Sequence, residues 1–304
     1  MPTVAGLLAA LLLLALGSSP APSWAAFPGG NGRIAFQGET VAGDHTQSDI
    51  YTVGHDGTGV RRLSDTPNRH ELGPAWSPNG SRLAFWRTAA PFGTGSLWVM
   101  NADGSGKRQL TSGVDARDPA WNPAGNRLVY DQVLGGDLYT LRVSDGLDRR
   151  RLTSGAALDF EPAWSPGGRR VAFTRGTATG DPGDIFLVDV VTGQVQRVTS
   201  SPAFDHQVAW APGAGRLVFQ RDFDQSSAIF TVRPDGTGLA RLTSGAHFDI
   251  APAWAPDGTE IVFGSDRLSL LHELWTMHRD GTEQRRLLAN PTAALGFPDW
   301  QPVP

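Results

Sequence analysis

The sequence predicts an all-β fold, a six-bladed β-propeller with four strands in each blade. Two observations carry this prediction. A phrase built around Pro-Ala-Trp, or a close variant of it, recurs at intervals of 43–46 residues, and each interval holds four short strand-like runs. The repeated tryptophans are Trp76, Trp121, Trp164, Trp210, Trp254 and Trp300. A period of this length marks an array of like units, and four-stranded units in radial repetition form a propeller.

One repeat shows the four runs of a unit in order. Residues 161–164 lead to the tryptophan, 171–173 form an apolar triplet ending in Phe, 185–186 form the third run and 197–198 the fourth. β-Branched and aromatic residues in short runs bounded by Gly, Pro, Asp and Asn are typical of strands. After residue 25 no segment shows a sustained helical period.

The two ends of the repeat array complete each other. Residues 33–36 are a second strand without a first, and 297–300 are a first strand without the rest. Together they predict one shared blade, closed by N-terminal strands plus the C-terminal strand, which removes open sheet edges. The predicted organisation is therefore a single propeller domain over 33–304, preceded by a short leader at 26–32.

The first 25 residues have the pattern of a secretory signal peptide. An apolar run over 4–16 is followed by small residues before Ala25, although no Lys or Arg precedes it. The alternative is an uncleaved anchor, but the run is shorter than the roughly 20 residues that span a bilayer. We therefore expect cleavage after Ala25, no transmembrane segment in the mature chain, and a secreted or periplasmic protein.

Composition narrows the function classes. The formal net charge is −4 and there is no cysteine, which argues against nucleic-acid binding and excludes disulfides, thiolate metal sites and a cysteine nucleophile. No Gly-x-Ser-x-Gly elbow occurs. We therefore predict no catalytic residue and no cofactor, leaving open a divalent cation at the channel mouth.

The repeat phrase resembles a known family. Pro-Ala-Trp-Ser-Pro-Asn-Gly at 74–80, Ser-Pro-Gly-Gly at 165–168 and Ala-Pro-Asp-Gly at 255–258 are similar to the WD-like propeller repeat of TolB, the periplasmic protein of the Tol–Pal envelope system. Propellers attached to prolyl-oligopeptidase-type hydrolases carry similar repeats. TolB has a further α/β domain before its propeller and those hydrolases have an α/β-hydrolase domain, for which this sequence shows no pattern. The resemblance implies a propeller that binds proteins.

The variable connections predict where a ligand binds. Tight Asn-Gly and Asp-Gly turns fall on one face of a meander, and the longer connections, including 39–48 and those between blades, fall on the other, where binding is usual. The candidate binding residues at this channel mouth are Glu71, Asp118, Asp159, Glu161, Asp205, His206 and Asp249. We expect an acidic mouth for a cationic segment or a metal ion, with Asp turn caps as the alternative for the register five residues before each tryptophan.

Three functions follow from this site. The first is a non-enzymatic, monomeric scaffold that binds a protein or peptide partner of the cell envelope. The second is a metal-dependent lyase or hydrolase acting on a sugar or ester, which requires several histidines of the mouth to converge. Those histidines are His45, His70, His206, His247 and His272. The third is a structural surface protein without a defined ligand.

Overall fold

Six four-stranded antiparallel sheets make up the structure, a computed structural model that describes residues 26–42, 45–90, 93–176, 183–289 and 294–304. The described residues contain strands and turns but no helix, so none of them forms a helix able to cross a membrane. The predicted all-β class and the six four-stranded blades are confirmed. The predicted signal peptide at 1–25 lies outside the described residues.

Each sheet is one blade, and its strands are numbered along the chain. Blade 1 contains β24 (Leu295–Val303), β1 (Gly30–Ala42), β2 (His45–Val53) and β3 (Arg61–Arg62). Blade 2 contains β4 (His70–Trp76), β5 (Arg82–Thr88), β6 (Ser96–Asn101) and β7 (Arg108–Gln109). Blade 3 contains β8 (Ala116–Trp121), β9 (Arg127–Gln132), β10 (Asp137–Arg142) and β11 (Arg150–Arg151). Blade 4 contains β12 (Leu158–Trp164), β13 (Arg170–Gly176), β14 (Asp184–Asp189) and β15 (Val195–Arg197). Blade 5 contains β16 (Phe204–Trp210), β17 (Leu217–Phe223), β18 (Ser226–Val232) and β19 (Ala240–Arg241). Blade 6 contains β20 (Asp249–Trp254), β21 (Glu260–Ser265), β22 (Glu273–His278) and β23 (Arg285–Leu288).

The first strands form the inner ring. Each first strand contacts the first strand of the next blade, from β4 round to β24 and back to β4. β24 pairs antiparallel with β1, with Trp300 opposite Ile34, so both termini share blade 1 as the sequence predicts. Closure by this pairing leaves the inner ring without an open edge.

The leader contributes to the fold. β1 begins at Gly30 rather than at residue 33, and Ala26 and Phe27 are buried. The N–H of Ala26 donates to the carbonyl of Trp210 at 3.2 Å, and that of Gly29 to Pro256 at 3.4 Å. Residues 26–29 therefore run along blades 5 and 6 before β1 starts.

The predicted loop at 39–48 is wrong for the described part of that range. β1 and β2 continue as a hairpin, and their register runs through Glu39↔Ser48 to Ala42↔His45. The two strands therefore extend through this range, as β17 and β18 do in blade 5, where pairing continues to Phe223↔Ser226.

Aromatic side chains fill the space between blades. All six repeat tryptophans are buried, and the indole N–H of Trp210 donates to the carbonyl of Ala163 in the neighbouring blade at 3.1 Å. Every blade also has two aromatic residues directly opposite each other on its second and third strands. These pairs are Phe36–Tyr51, Phe85–Trp98, Tyr130–Tyr139, Phe173–Phe186, Phe219–Phe230 and Phe263–Trp275. The tryptophan register is therefore core, as predicted.

A hydroxyl after each of the first five outer strands joins that strand to the third. In blade 4 the Thr199 hydroxyl accepts from the N–H of Ile185 at 3.0 Å and donates to Asp184 at 3.1 Å. Arg197 pairs with the same carboxylate at 2.5 Å. Ser64, Thr111, Thr153 and Thr243 accept in the same way from their own third strands. The outer arginines Arg62, Arg151, Arg197 and Arg286 are thus held by ion pairs as well as facing solvent.

Replacing Thr199 with Val is expected to lower the free energy of unfolding by about 1–2 kcal/mol, because the buried N–H of Ile185 loses its acceptor. Urea unfolding followed by tryptophan fluorescence measures this. Ser200→Ala at the adjacent exposed position should have little effect. Equal losses in the two variants would show that the hydroxyl bond contributes nothing specific.

Candidate functional site

The seven candidate residues lie near one end of the first strands, but they are not on the surface. In a meander this end carries the second-to-third-strand connections and the connections between blades, and we call it the loop-rich face. The opposite end, with the tight turns, is the turn face. Every one of Glu71, Asp118, Asp159, Glu161, Asp205, His206 and Asp249 is at most 3% exposed. Buried charges need partners, and those partners divide the seven into two groups.

The first group consists of carboxylates clamped by arginines. In blade 5, Asp205 forms two bonds with Arg221, at 2.5 and 2.7 Å. The same guanidinium lies over the Phe230 ring, 4.7 Å from its centroid. Equivalent pairs are Glu71–Arg87 at 2.5 Å, Asp159–Arg175 at 2.6 Å and Asp249–Arg267 at 2.7 Å. In these four blades the register is neither a turn cap nor an unpaired acidic ring, because an arginine of the second strand or just beyond it neutralises each carboxylate.

Blades 1 and 3 lack this clamp. In blade 1, Leu295 and Gly38 stand opposite each other where blades 2, 4 and 5 have the acid and the arginine. In blade 3 the corresponding pair is Ala116 and Gln132. Blade 3 instead places Arg117 on Asp115, with two bonds of 3.0 Å, and brings Asp131 into the second strand opposite Arg117.

A bulge in each first strand aims the inner side chains. The residue three before each tryptophan has positive φ, whatever its type: Gly73, Asp118, Glu161, Gln207, Ala251 and Phe297. Left-handed backbone is strained for residues other than glycine. The Glu161 carboxylate accepts from the N–H of Gln207 at 2.8 Å, and the Gln207 side chain from the N–H of Ala251 at 2.7 Å. The bulges thus send side chains from one blade to the next around the inner ring.

The second group forms a buried carboxyl cluster, which we define as Asp118, Asp131, Glu161, His206 and Asp222. Burial, with the nearby carboxyls of Asp131 and Glu161, raises the pKa of Asp118 well above its ordinary value. Burial raises the pKa of Asp131 to about 7, and Glu161 adds to the effect. Adjacent carboxylates cannot both ionise freely, so Asp118 and Asp131 share a proton near neutral pH.

His206 is the cation of this cluster. Its Nε2 lies 3.0 Å from Asp222 and its Nδ1 lies 3.7 Å from Glu161. Burial lowers the pKa of His206, but these two carboxylates outweigh burial and raise the pKa to about 10. The ring also stacks on Phe204, with centroids 4.5 Å apart. His206 is therefore protonated at neutral pH and fixed in place.

A cavity of about 430 Å³ opens beside the cluster, between blades 3, 4 and 5. Asp131, Glu161, His206, Arg117 and Asp159 line its polar side. Val133, Leu158, Phe160 and Phe204 form its apolar walls. A concave site with apolar walls and a few convergent polar groups is the usual form of a binding site.

Exposed apolar side chains, which we call the apolar rim, lie at one edge of this cavity on the loop-rich face. Leu134, in the β9–β10 connection, is 76% exposed, and its neighbours Val133 and Leu158 are also exposed. Large apolar side chains are exposed elsewhere on the same face, namely Phe223, Phe248, Leu268 and Leu270. Concentrated exposed apolar residues mark protein-interaction surfaces.

A second cavity, of about 710 Å³, lies on the turn face, where Asp280 is bonded to Thr282 within its own turn.

The other mouth histidines do not share partners. His70 lies against Ser48 and His247 against Asp249. The Nε2 of His272 is buried without a hydrogen-bond partner, and burial lowers its pKa. The side chain of His45 lies outside the described residues. Within the described ranges, no group of three or more His, Asp or Glu residues is arranged to hold a metal ion.

Sequence reasoning did not select Asp131 or Asp222 as site residues. A signal for Asp131 exists, because it follows Tyr130 inside an apolar second strand, at the register where the other blades have Gln37, Trp86, Thr174, Gln220 or Gly264. A charged residue in a buried strand is exceptional. Asp222 has no comparable signal, since it reads as part of an acidic loop.

Comparisons with known proteins match this chain to the β-propellers of TolB proteins. The family model described as the TolB beta-propeller domain matches residues 132–302, more than half of the chain. The protein TolB homolog of Chlorobium luteolum is 45% identical over 260 residues, covering 84% of this chain and 57% of that protein. The Tol-Pal system protein TolB of Rhizorhabdus wittichii is 40% identical over 68 residues, covering 22% of this chain and 15% of that protein.

A solved structure agrees in fold. TolB from Acinetobacter baumannii superposes with a TM-score of 0.76 at 19% identity, covering 89% of this chain and 67% of that one. The chain thus spans somewhat more than half the length of the Chlorobium relative and about two thirds of the Acinetobacter chain. The likeness in both comparisons lies in the propeller.

Proposed function

Because this chain belongs to the TolB β-propeller family, we propose that it is a non-enzymatic scaffold that binds a protein partner of the cell envelope. The partner docks on the loop-rich face, over the cavity between blades 3, 4 and 5. The Tol-Pal system relative named above supports an envelope setting. We propose a periplasmic or secreted location on the same grounds and on the signal-like pattern of residues 1–25.

The observation that carries this proposal is the apolar rim. Val133, Leu134 and Leu158 are exposed at a cavity with charged groups at its base, and Phe223, Phe248, Leu268 and Leu270 are exposed elsewhere on the loop-rich face. Protein interfaces combine an apolar centre with a polar rim and a few charged anchors. Because arginines neutralise the acids of four blades, the buried carboxyls without an arginine partner that the described residues of this face contain lie at the cavity.

Site-specific photocrosslinking tests the face. A benzophenone amino acid at Leu134 or Leu270 is expected to crosslink an envelope protein in cells, because both positions are exposed on the loop-rich face, at 76% and 100%. Matched controls at Leu147 and Val191, 63% and 83% exposed in tight turns of the turn face, should give little product. Mass spectrometry identifies the crosslinked protein.

Two results would contradict the proposal. Stronger crosslinks from Leu147 and Val191 than from Leu134 and Leu270 would move the interface to the turn face. No specific product at any of the four positions, with the protein folded and correctly localised, would remove the scaffold function. Recovery of the crosslinked chain in a periplasmic or culture-medium fraction tests the proposed location in the same experiment.

A further inference from the structure

We propose that the cavity beside Asp131 binds one cationic side chain, an arginine or a lysine, supplied by the protein partner. This inference rests on the proposed function and names the chemistry by which the partner is anchored. It stands on three features of the cavity: carboxyl oxygens without partners, the charge of the groups that face it, and its aromatic walls.

The unpartnered oxygens are the first feature. Oδ1 of Asp131 and both side-chain oxygens of Asp118 are buried, and within the described part of the chain they have no donor apart from the proton that these two carboxyls share. Asp131 lines the cavity, and Asp118 interacts with it. Buried acceptors without donors are rare and costly. A guanidinium or ammonium entering the cavity would supply donors and the opposite charge.

The balance of charge is the second feature. The groups around the cluster are Asp118, Asp131, Glu161, Asp222, His206, Arg117 with its partner Asp115, and Asp159 with its partner Arg175. In each of the two ion pairs, the positive charge of the arginine cancels the negative charge of its aspartate. With one proton shared between Asp118 and Asp131, about three negative charges face the single positive charge of His206. The cavity therefore attracts a cation.

The walls are the third feature. Phe160 and Phe204 lie with ring centroids 6.2 Å apart at the cavity. Elsewhere the chain places its own guanidinium groups between an aromatic face and a carboxylate, as Arg221 does with Phe230 and Asp205. The cavity offers the same two components to a side chain from outside, and a cation over an aromatic ring is stabilised when water is excluded.

Binding should release a proton. A bound cation favours the ionised form of Asp131, so the proton that Asp131 holds in part of the molecules leaves while Asp118 keeps its own. Because the pKa of Asp131 is raised to about 7, the group is about half protonated at neutral pH, and roughly half a proton should be released per ligand at pH 7. At pH 9 almost none should be released.

The probe is N-acetyl-arginine amide, and N-acetyl-citrulline amide is its uncharged control of the same shape. Both are titrated into the protein by calorimetry, in two buffers of different ionisation enthalpy so that proton release is measured. We expect the arginine compound to bind at least about tenfold more tightly than citrulline, since hydrogen bonds to charged groups contribute roughly 1.5–3 kcal/mol. Asp131→Asn should weaken the arginine compound by a similar factor and abolish proton release. Asp224→Asn, which removes an exposed carboxylate on the same face, should change neither.

Equal affinity for arginine and citrulline would overturn the proposal, as would unchanged binding in Asp131→Asn or proton release that does not depend on pH. The failure of the proposed function is a separate outcome. Crosslinks at Leu134 and Leu270 that persist together with a failed arginine titration would keep the docking face and remove only the cationic anchor.

Discussion

Replacing Arg221 with methionine is expected to lower the free energy of unfolding by about 3–5 kcal/mol, because it leaves Asp205 buried without its partner. The pair is bidentate, its carboxylate has no exposed surface and its guanidinium is 12% exposed. Burial raises the pKa of Asp205 by more than Arg221 lowers it. Losing the guanidinium therefore removes the main group that keeps the carboxylate ionised. Urea unfolding at pH 7 measures the loss.

Two comparisons make this result specific. Arg142→Met breaks an ion pair with Asp145 in which both side chains are well exposed, and such pairs contribute little, so its loss should be much smaller. Arg221→Met combined with Asp205→Leu should recover most of the stability, since replacing both partners removes the uncompensated charge. Equal losses for Arg221→Met and Arg142→Met would show that the clamp is not a structural element.

This prediction separates two interpretations of the acidic register. An acidic mouth predicts that Asp159, Asp205 and Asp249 act on ligand binding, and that binding role stays a prediction. The ion pairs predict that changes at Asp205 act first on folding. A signal for the clamp is present in the sequence, because an arginine follows the acid by 16 residues in blades 2, 4 and 5 and by 18 in blade 6. It becomes interpretable only once the strand register is known.

The architecture could be predicted because its determinants are local and repeated. The tryptophan period, the Asn-Gly and Asp-Gly turns and the incomplete end repeats each depend on short stretches of sequence. The bulges could not be predicted in the same way. Gly73, Glu161 and Phe297 share positive φ but no side-chain chemistry, so this conformation comes from the packing of the inner ring.

The carboxyl cluster could not be predicted because it depends on ring closure. Asp118 and Asp131 come from blade 3, Glu161 from blade 4 and His206 from blade 5, and only the radial arrangement brings them together. The sequence predicts Asp118, Glu161 and His206 as parts of a partial ring at the mouth. The structure instead places them on one side of it, where blade 3 lacks the arginine clamp.

Replacing Asp131 with asparagine is expected to stabilise the protein at pH 8 by on the order of 2–4 kcal/mol and to change its stability little at pH 4. Folding raises the pKa of this carboxyl from its ordinary value, near 4, to about 7. A raised carboxyl pKa means that the folded state holds the proton more tightly than the unfolded state. Its contribution is therefore most favourable below pH 4 and is lost as the pH rises to 7. Asparagine does not titrate, so the variant avoids that loss.

The difference between variant and wild type, measured by urea unfolding from pH 4 to 8, isolates the Asp118–Asp131 pair, because titrations elsewhere contribute to both curves. His206 titrates over a different pH range. Because its pKa is raised to about 10, its contribution to stability is lost as the pH rises from about 6.5 to about 10. Asp224→Asn should give a flat difference over the same range. If Asp131→Asn destabilises the protein at every pH, the carboxyl pair is a structural contact and the cationic anchor loses its basis. Asp131→Asn is instead expected to be more stable at pH 8 and unable to bind the arginine probe. That result would mean that the Asp131 carboxyl lowers the stability of the free protein and is useful only when a ligand is bound, as expected of a functional site.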